Sequence, residues 1–235
     1  MKKGAKMITL LIVVLSLAGV VLWQFFLSES VNYYLTSICL LVLSMLPFFV
    51  SFEAAKISLR EITLVATLIA IAVVSRAAFY LIPQVKPIAA VVIVSAVCLG
   101  AERGYIIGSF SAFISNFIFG QGYWTPFQMV ALGIVGLMAG IIFNTIKANK
   151  WSLAAVGFVL AFAFYGVIVD SSTVLIMYGD NLNINGAFAV YAAGVPFSAV
   201  FGASTAVFLF VFGEPFIKKI ERINTKFALA AKHNS

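Results

Sequence analysis

Residues 115–129 of the chain read SNFIFGQGYWTPFQM and separate two apolar segments. We interpret this stretch as the turn between two membrane helices. Pro126 is expected to start the second helix, where its missing N–H costs nothing, and Thr125 is expected to be the N-cap. The stretch also predicts the floor and wall of an external binding pocket, because its amide and aromatic side chains would then be free to point inward: Gln121, Tyr123, Trp124 and Gln128.

The composition indicates a membrane protein. Of 235 residues, 63% are hydrophobic and 10% are charged, whereas a soluble domain carries about 25% charged residues. The chain is therefore predicted to be an all-α, polytopic membrane helical bundle.

The sequence shows no set of residues that is typical of a catalytic site. The only histidine is His233, in a polar tail, and Cys39 and Cys98 lie in apolar runs, as packing cysteines do. The sequence has no P-loop, no paired acidic motif, no H-E-x-x-H and no G-x-S-x-G. We expect no catalytic residues, no metal and no cofactor, and hence no enzyme.

The apolar runs predict eight spans: 7–27, 31–52, 62–82, 87–100, 104–120, 126–146, 152–178 and 187–212. The fourth and fifth are shorter than the roughly 20 residues that cross a bilayer. A single helix through both would bury Glu102 and Arg103 in lipid, so we predict a hairpin with a tight charged turn at residues 101–103. The first span resembles a signal peptide in its basic start, but its long apolar run favours a retained helix.

The basic residues predict the orientation. With the N-terminus inside the cell, every lysine and arginine except Arg76 and Lys86 lies on the cytoplasmic side, as the positive-inside rule requires. Both termini are then cytoplasmic in a multi-pass protein of the cell membrane. The outer loops are 83–87, 120–125 and 179–185, and the net charge of +7 needs no nucleic-acid partner.

Two charged residues interrupt apolar spans, Arg76 and Asp170. Charges within a membrane are costly and usually face the bundle interior or a wet cavity. They either neutralise each other or contact a ligand. For Arg76 we favour a ligand, because helical periodicity puts it on one face with Phe79, Tyr80 and Pro83, leading to the outer loop that holds Lys86.

Small residues recur every four positions and predict close helix packing. One stripe is Gly104, Gly108 and Ala112, which leads to Asn116, one turn below the glycine-rich turn. Others are Gly136 with Gly140, and Gly194, Ser198, Gly202 and Ala206 on the last span. Ala66 and Ala70 form a similar pair on the third span.

The third to eighth spans resemble the six-helix S component, the substrate-binding membrane subunit of energy-coupling factor (ECF) vitamin transporters. Residues 66–70, ATLIA, match the AxxxA motif of the family's first helix. Residues 75–87, SRAAFYLIPQVKP, resemble the end of that helix and the loop over the ligand, and residues 115–129 resemble an outer segment found in a subgroup of the family. The resemblance divides the chain into two N-terminal helices of unknown role, 1–60, and a six-helix domain, 61–235.

The resemblance implies an importer subunit without ATPase activity of its own. It captures a vitamin from outside and associates with a transmembrane T subunit and two cytoplasmic ATPases, with Ala66 and Ala70 contacting the T subunit. The vitamin expected is cobalamin or another corrinoid, and the alternative is another heteroaromatic vitamin such as a flavin. The ligand-binding residues expected are Arg76, Tyr80, Lys86, Asn116, Gln121, Tyr123, Trp124, Gln128 and Asp170.

Other interpretations of the same residues stay open. Tyr123 and Trp124 also suit an interfacial aromatic belt, which leaves Gln121 and Gln128 unexplained. A lipid-modifying membrane enzyme would need acidic or histidine clusters at one interface, and an assembly protein would bind no ligand at all.

Overall fold

A computed structural model of the protein describes residues 59–178 and 184–227, together with Cys39 and Val42. The described part is helical, with no strand, and this confirms the predicted all-α membrane bundle. Apart from Cys39 and Val42, the two predicted N-terminal spans lie outside the described residues, as do residues 179–183 of the third outer loop. The division at residue 60 therefore stays a prediction.

The described helices follow the predicted third to eighth spans. They are α1 Leu59–Ala78, α2 Ile88–Leu99, α3 Ala101–Phe119, α4 Trp124–Ile142, α5 Lys150–Val159, α6 Gly166–Tyr178, α7 Ile184–Phe208 and α8 Glu214–Phe227. Two π-helical segments, π1 Leu160–Tyr165 and π2 Leu209–Gly213, join α5 to α6 and α7 to α8 without a break. Within the described residues, four of these rods are long and apolar enough to cross a membrane: α1, α4, α5–α6 and α7–α8.

The hairpin of α2 and α3 is confirmed, but its predicted turn is wrong. Residues 101–103 are the first residues of α3, and the chain reverses at Gly100, whose φ of 92° favours glycine. Arg103 forms an ion pair with Glu61 of α1 and donates to the carbonyl of Leu99 at 3.0 Å. Arg103 is thus held by two acceptors, a carboxylate and a backbone carbonyl, and does not lie in a loop.

The bundle has two distinguishable ends. The connections 79–87 and 120–123 define the loop end, and Gly100 with residues 143–149 defines the basic end. At the basic end Asn149 caps α5. Its side chain accepts from the backbone N–H groups of Trp151 and Ser152 at 3.0 and 2.9 Å, and the hydroxyl of Ser152 accepts from the backbone N–H of Asn149. The N–H of Lys150 donates to Glu214 at 2.8 Å, which ties α5 to α8.

The glycines of α3 and α4 face one another without intervening side chains. A Cβ on Gly104 would lie 2.7 Å from the carbonyl oxygen of Gly136, and one on Gly108 would lie 2.9 Å from the backbone nitrogen of Gly133. Such approaches supply dispersion contacts where lipid offers no hydrophobic driving force. The small-residue stripe predicted on α3 is therefore the surface on which α4 packs.

The stripe on the last rod packs in the same way. Gly194 faces Asp170, while Ser198 of the stripe faces Gly166, and Gly202 faces Phe158. Small residues of α7 thus lie along α5 and α6. The buried core of the described part, which includes Leu160 and Leu209 of the two π segments, lies between this pair and α1–α4.

Gly108→Ala should destabilise the bundle, because the new methyl group meets the α4 backbone, which cannot rotate away. Overpacking costs about 1–3 kcal/mol and occasionally more. Thermal unfolding of the detergent-purified protein measures the loss. Gly213→Ala is the matched control, since its Cβ would meet chiefly the flexible end of Leu153 at 3.0 Å. Equal melting temperatures for the two variants would contradict the packing assignment.

Candidate ligand site

Arg76 lies in the last turn of α1 at the loop end and points toward α3. Its guanidinium donates to the hydroxyl of Ser115 and, at 2.9 Å, to the side-chain oxygen of Asn116. The same group lies 4.7 Å from the centre of the Phe119 ring, in a cation–π contact. The structure thus holds this charge with neutral partners.

Asn116 is fully buried and connects α1, α3 and α4. Its oxygen accepts from Arg76, while its amide nitrogen donates to Thr125 at 3.1 Å and to Gln128 at 2.9 Å. One acceptor and both amide protons are therefore in use. A buried amide with every donor satisfied fixes the geometry of the groups around it.

Gln121 and Gln128, predicted to be free to point inward, are both hydrogen-bonded within the protein, and their role in ligand binding stays a prediction. Gln121 donates to the carbonyl of Phe113 at 3.1 Å and accepts from Thr125 at 2.8 Å. Gln128 accepts from Asn116. Gln121 thus holds the turn onto α3, and Gln128 joins α4 to Asn116 of α3.

The predicted start of α4 is also wrong. The helix begins at Trp124, so Thr125 lies inside the first turn and is not the N-cap. Pro126 is the third residue of the helix and not the first. The hydroxyl of Thr125 instead accepts from the N–H of Gly122 at 3.1 Å. Gly120, with φ of 99°, reverses the chain after α3.

The connection 79–87 brings Tyr80 and Lys86 to the same place by a different route from the one predicted. The helix ends at Ala78, so Phe79, Tyr80 and Pro83 lie in successive turns and not on one helical face. Tyr80 nevertheless stacks on Phe119, with ring centres 5.2 Å apart, and is 64% exposed. The ring of Phe119 therefore contacts both the ring of Tyr80 and the guanidinium of Arg76.

Lys86 is half-buried just before α2. Burial, and then the nearby positive charge of Arg76, lower the pKa of Lys86. Gln84 of the same connection has a φ of 58°, an uncommon conformation for a residue other than glycine.

Trp124 and Tyr123 lie beside the polar cluster. The Trp124 ring packs on Gly122, where a Cβ would lie 2.6 Å from it, and meets the Tyr123 ring edge-on at 4.7 Å. Tyr123 is 43% exposed. These positions suit either a ligand wall or an aromatic belt, but a belt gives no reason for the hydrogen bonds of the adjacent amides.

Asp170 stands apart from Arg76. Its carboxylate lies against Gly194 of α7, and among the described residues it forms no ion pair with Arg76. Arg76 and Asp170 therefore do not pair with each other, which was one of the two alternatives. The ring of Tyr165, at the end of π1, lies 4.6 Å from the ring of Phe201 and packs against a buried cluster that includes Ala72 and Ala112.

Four residues of this region were not predicted: Ser115, Phe119, Thr125 and Tyr165. Phe119 lies three residues after Asn116 on α3, so helical spacing was a usable signal for Phe119, whereas Ser115 directly precedes Asn116 and had no such signal. Tyr165 gave no such signal, because its position depends on the π segment that ends with it.

An apolar groove of about 200 Å³ lies next to this cluster, between α1, α2 and the last rod. Its lining includes Phe79, Pro87, Phe208 and Phe212, and the one hydroxyl, on Ser75, donates to the carbonyl of Ala72 at 2.7 Å. The groove offers no free polar group and is distinct from the polar cluster.

Ala66 and Ala70 are exposed on α1, away from the cluster. Thr63 and Thr67, on the same exposed face, donate their hydroxyls to carbonyls one turn back, at 2.9 and 2.7 Å. This face is thus smooth and has its polar groups satisfied.

Comparison with known proteins places this architecture in a family. A family model described as "ECF-type riboflavin transporter, S component" matches residues 56–222, more than two thirds of the chain. No curated protein and no solved structure matches the chain. The match begins just before α1, ends within α8, and thus covers the whole polar cluster. The chain belongs to the S components of ECF-type transporters, in the family named for riboflavin.

Proposed function

We propose that the chain captures a flavin-type vitamin at the outer face of the cell membrane and delivers it inward as part of an ECF importer. The family match over residues 56–222 carries this proposal. The family is one of transport subunits and not of enzymes. Its name supports the flavin alternative and gives no support to cobalamin or another corrinoid.

The loop end is the proposed ligand site. The exposed rings of Tyr80 and Tyr123 offer planar surfaces for a flat heteroaromatic ring, and Trp124 supports one of them. Arg76 and Lys86 offer donors to its oxygen atoms. Stacked aromatic pairs contribute about 0.5–1.5 kcal/mol beyond the area they bury.

The amides of the turn have a positioning role in this proposal. Asn116 holds the guanidinium of Arg76, and Gln121 and Gln128 hold the segment that carries Tyr123. Asp170, whose carboxylate has no ion-pair partner within residues 59–178 and 184–227, is proposed to accept from hydroxyl groups of the flavin side chain.

The energy for transport comes from partners. The chain has no P-loop, and the ECF family implies a transmembrane T subunit and two ATPase subunits. The exposed face around Ala66 and Ala70 is the proposed docking surface for a T-subunit helix, since small residues let two helices approach closely. The proposed orientation keeps both termini cytoplasmic and the loop end outside.

The purified chain should bind riboflavin without nucleotide. Isothermal titration of the detergent-solubilised protein measures the dissociation constant for riboflavin and, as the comparison ligand, for cobalamin. We expect saturable flavin binding and none for cobalamin. Saturable binding of cobalamin with no response to flavins would overturn the assignment of the vitamin.

Replacing Ala66 and Ala70 with leucine should block assembly and spare ligand binding. The larger side chains hold the partner helix away from α1. Co-purification of the T and ATPase subunits with the tagged chain measures assembly, and fluorescence titration measures binding. Ala155→Leu, at an exposed alanine of α5, is the matched control. Full assembly of the double variant would show that this face is not the docking surface.

A further inference from the structure

The last rod is longer than the hydrocarbon of a membrane is thick. It runs from Ile184 to Lys226 without a break, whereas about 20 helical residues cross a bilayer. Trp151 marks the membrane surface at the basic end, because it is 69% exposed and tryptophan is enriched at that level. Its ring lies 4.8 Å from the ring of Phe210, and the N–H of Lys150 donates to Glu214 at 2.8 Å. The helix α8 therefore begins at the level of the lipid headgroups.

The exposed side of this rod changes its chemistry at the same level. Val207 and Val211, before α8, are 60% and 53% exposed and meet lipid chains. Lys218 and Arg222 follow Val211 by about two and three helical turns, and both are exposed. The side of the rod that faces hydrocarbon at Val211 thus carries positive charge where headgroups replace hydrocarbon.

The helix α8 separates an apolar side from a basic side. Ile217 and Ile220 are buried in the main core of the bundle. Lys218, Lys219 and Arg222 are exposed, and their spacing of three to four residues puts them together on the opposite side. The packing of the two isoleucines therefore fixes the direction in which the basic side faces.

The protein does not neutralise this charge within residues 59–178 and 184–227. Lys218, Lys219 and Arg222 form no ion pair and no side-chain hydrogen bond there. Glu214, one turn before Lys218, accepts from a backbone N–H of α5 instead, and Glu221 forms no ion pair with the three cations. A cluster of exposed cations of this kind attracts an anionic partner.

The direction of the helix brings these side chains back toward the membrane. Each Cα–Cβ bond of an α-helix tilts toward the N-terminus of the helix, and the N-terminus of α8, at Glu214, is its membrane end. Long lysine and arginine side chains keep their charged ends at polar groups while their stems lie along apolar surface. The charged ends on α8 therefore reach the headgroups from positions beyond them.

We propose that Lys218, Lys219 and Arg222 form a surface that binds anionic phospholipid headgroups in the leaflet at the basic end. Lipid is the occupant because the same side of the rod already meets lipid chains at Val211. Clusters of basic residues next to a membrane-spanning helix attract anionic lipids, and a zwitterionic lipid lacks the net charge that they attract. The surface does not depend on which vitamin the chain carries.

The test uses Trp151 to report the lipids beside α8. In the full chain with Trp23→Phe and Trp124→Phe, Trp151 is the only tryptophan left. Nanodiscs contain equal parts of phosphatidylglycerol and phosphatidylcholine, with brominated chains, which quench tryptophan on contact, on one lipid or on the other. One basic residue near an anionic surface favours it about fivefold. Phosphatidylglycerol should therefore be enriched over phosphatidylcholine at Trp151 about fivefold or more, and high salt should reduce the enrichment.

Variants assign the enrichment to the three residues. Replacing Lys218, Lys219 and Arg222 with glutamine should bring it close to one. The charge-conserving exchange Lys218→Arg, Lys219→Arg and Arg222→Lys should keep it, and so should Arg60→Gln, which removes an exposed charge at the start of α1. Melting curves identify a variant that fails to fold, and the salt dependence of the unsubstituted surface then decides.

Three outcomes would overturn the proposal. The first is equal quenching by both brominated lipids when the three basic residues are present. The second is loss of enrichment in the charge-conserving exchange, because charge would then not be the cause. The third is an unchanged enrichment in the glutamine variant together with loss of the co-purifying T and ATPase subunits, which would assign the surface to an acidic protein partner.

Discussion

The side chain of Asn116 is the junction on which the loop end depends. In hydrocarbon, a polar group without a partner costs several kcal/mol, so a charged residue at this depth needs partners from the protein itself. The side-chain oxygen of Asn116 accepts from Arg76, and its amide nitrogen donates hydrogen bonds to Thr125 and Gln128. Because those partners belong to α4, the position of the α1 charge is fixed by the packing of α3 on α4.

That packing in turn depends on glycine. Gly104 and Gly108 face the backbone of α4, and no side chain fits between them. The close approach brings the first turn of α4 within hydrogen-bonding distance of Asn116. The stripe of small residues and the polar cluster above it are therefore consecutive parts of one surface of α3. The stripe sets the distance between α3 and α4, and the hydrogen bonds of Asn116 depend on that distance.

The sequence predicted the helices better than the site. Apolar runs, basic loops and small-residue spacing are local signals, and they gave the bundle and its order correctly. The partners of Gln121 and Gln128 depend on how tightly the turn folds back onto α3, which no single-residue pattern encodes. Tyr165 was missed for the same kind of reason, since a π segment shifts the direction of every residue that follows it.

The separation of Arg76 from Asp170 shows a further limit. Two opposite charges within apolar spans suggest a pair, because pairing is one way to offset the cost of burying them. Asp170 instead lies against Gly194, where the missing side chain makes room for the carboxylate. Residue type alone gives the cost of burying a charge, and only the helix contacts give the partner.

The helix α1 links the two surfaces on which the proposed transport cycle depends. Ala70 and Arg76 are six residues apart, or about 9 Å along a helix. No break in the α-helix separates them, and Ala72 and Val73 between them are buried in the core. A displacement of the helix backbone at Arg76 therefore moves the exposed alanine face too, unless the helix itself deforms. The proposed ligand contact at the loop end and the proposed partner contact on the outer face of α1 would thus act on the same helix.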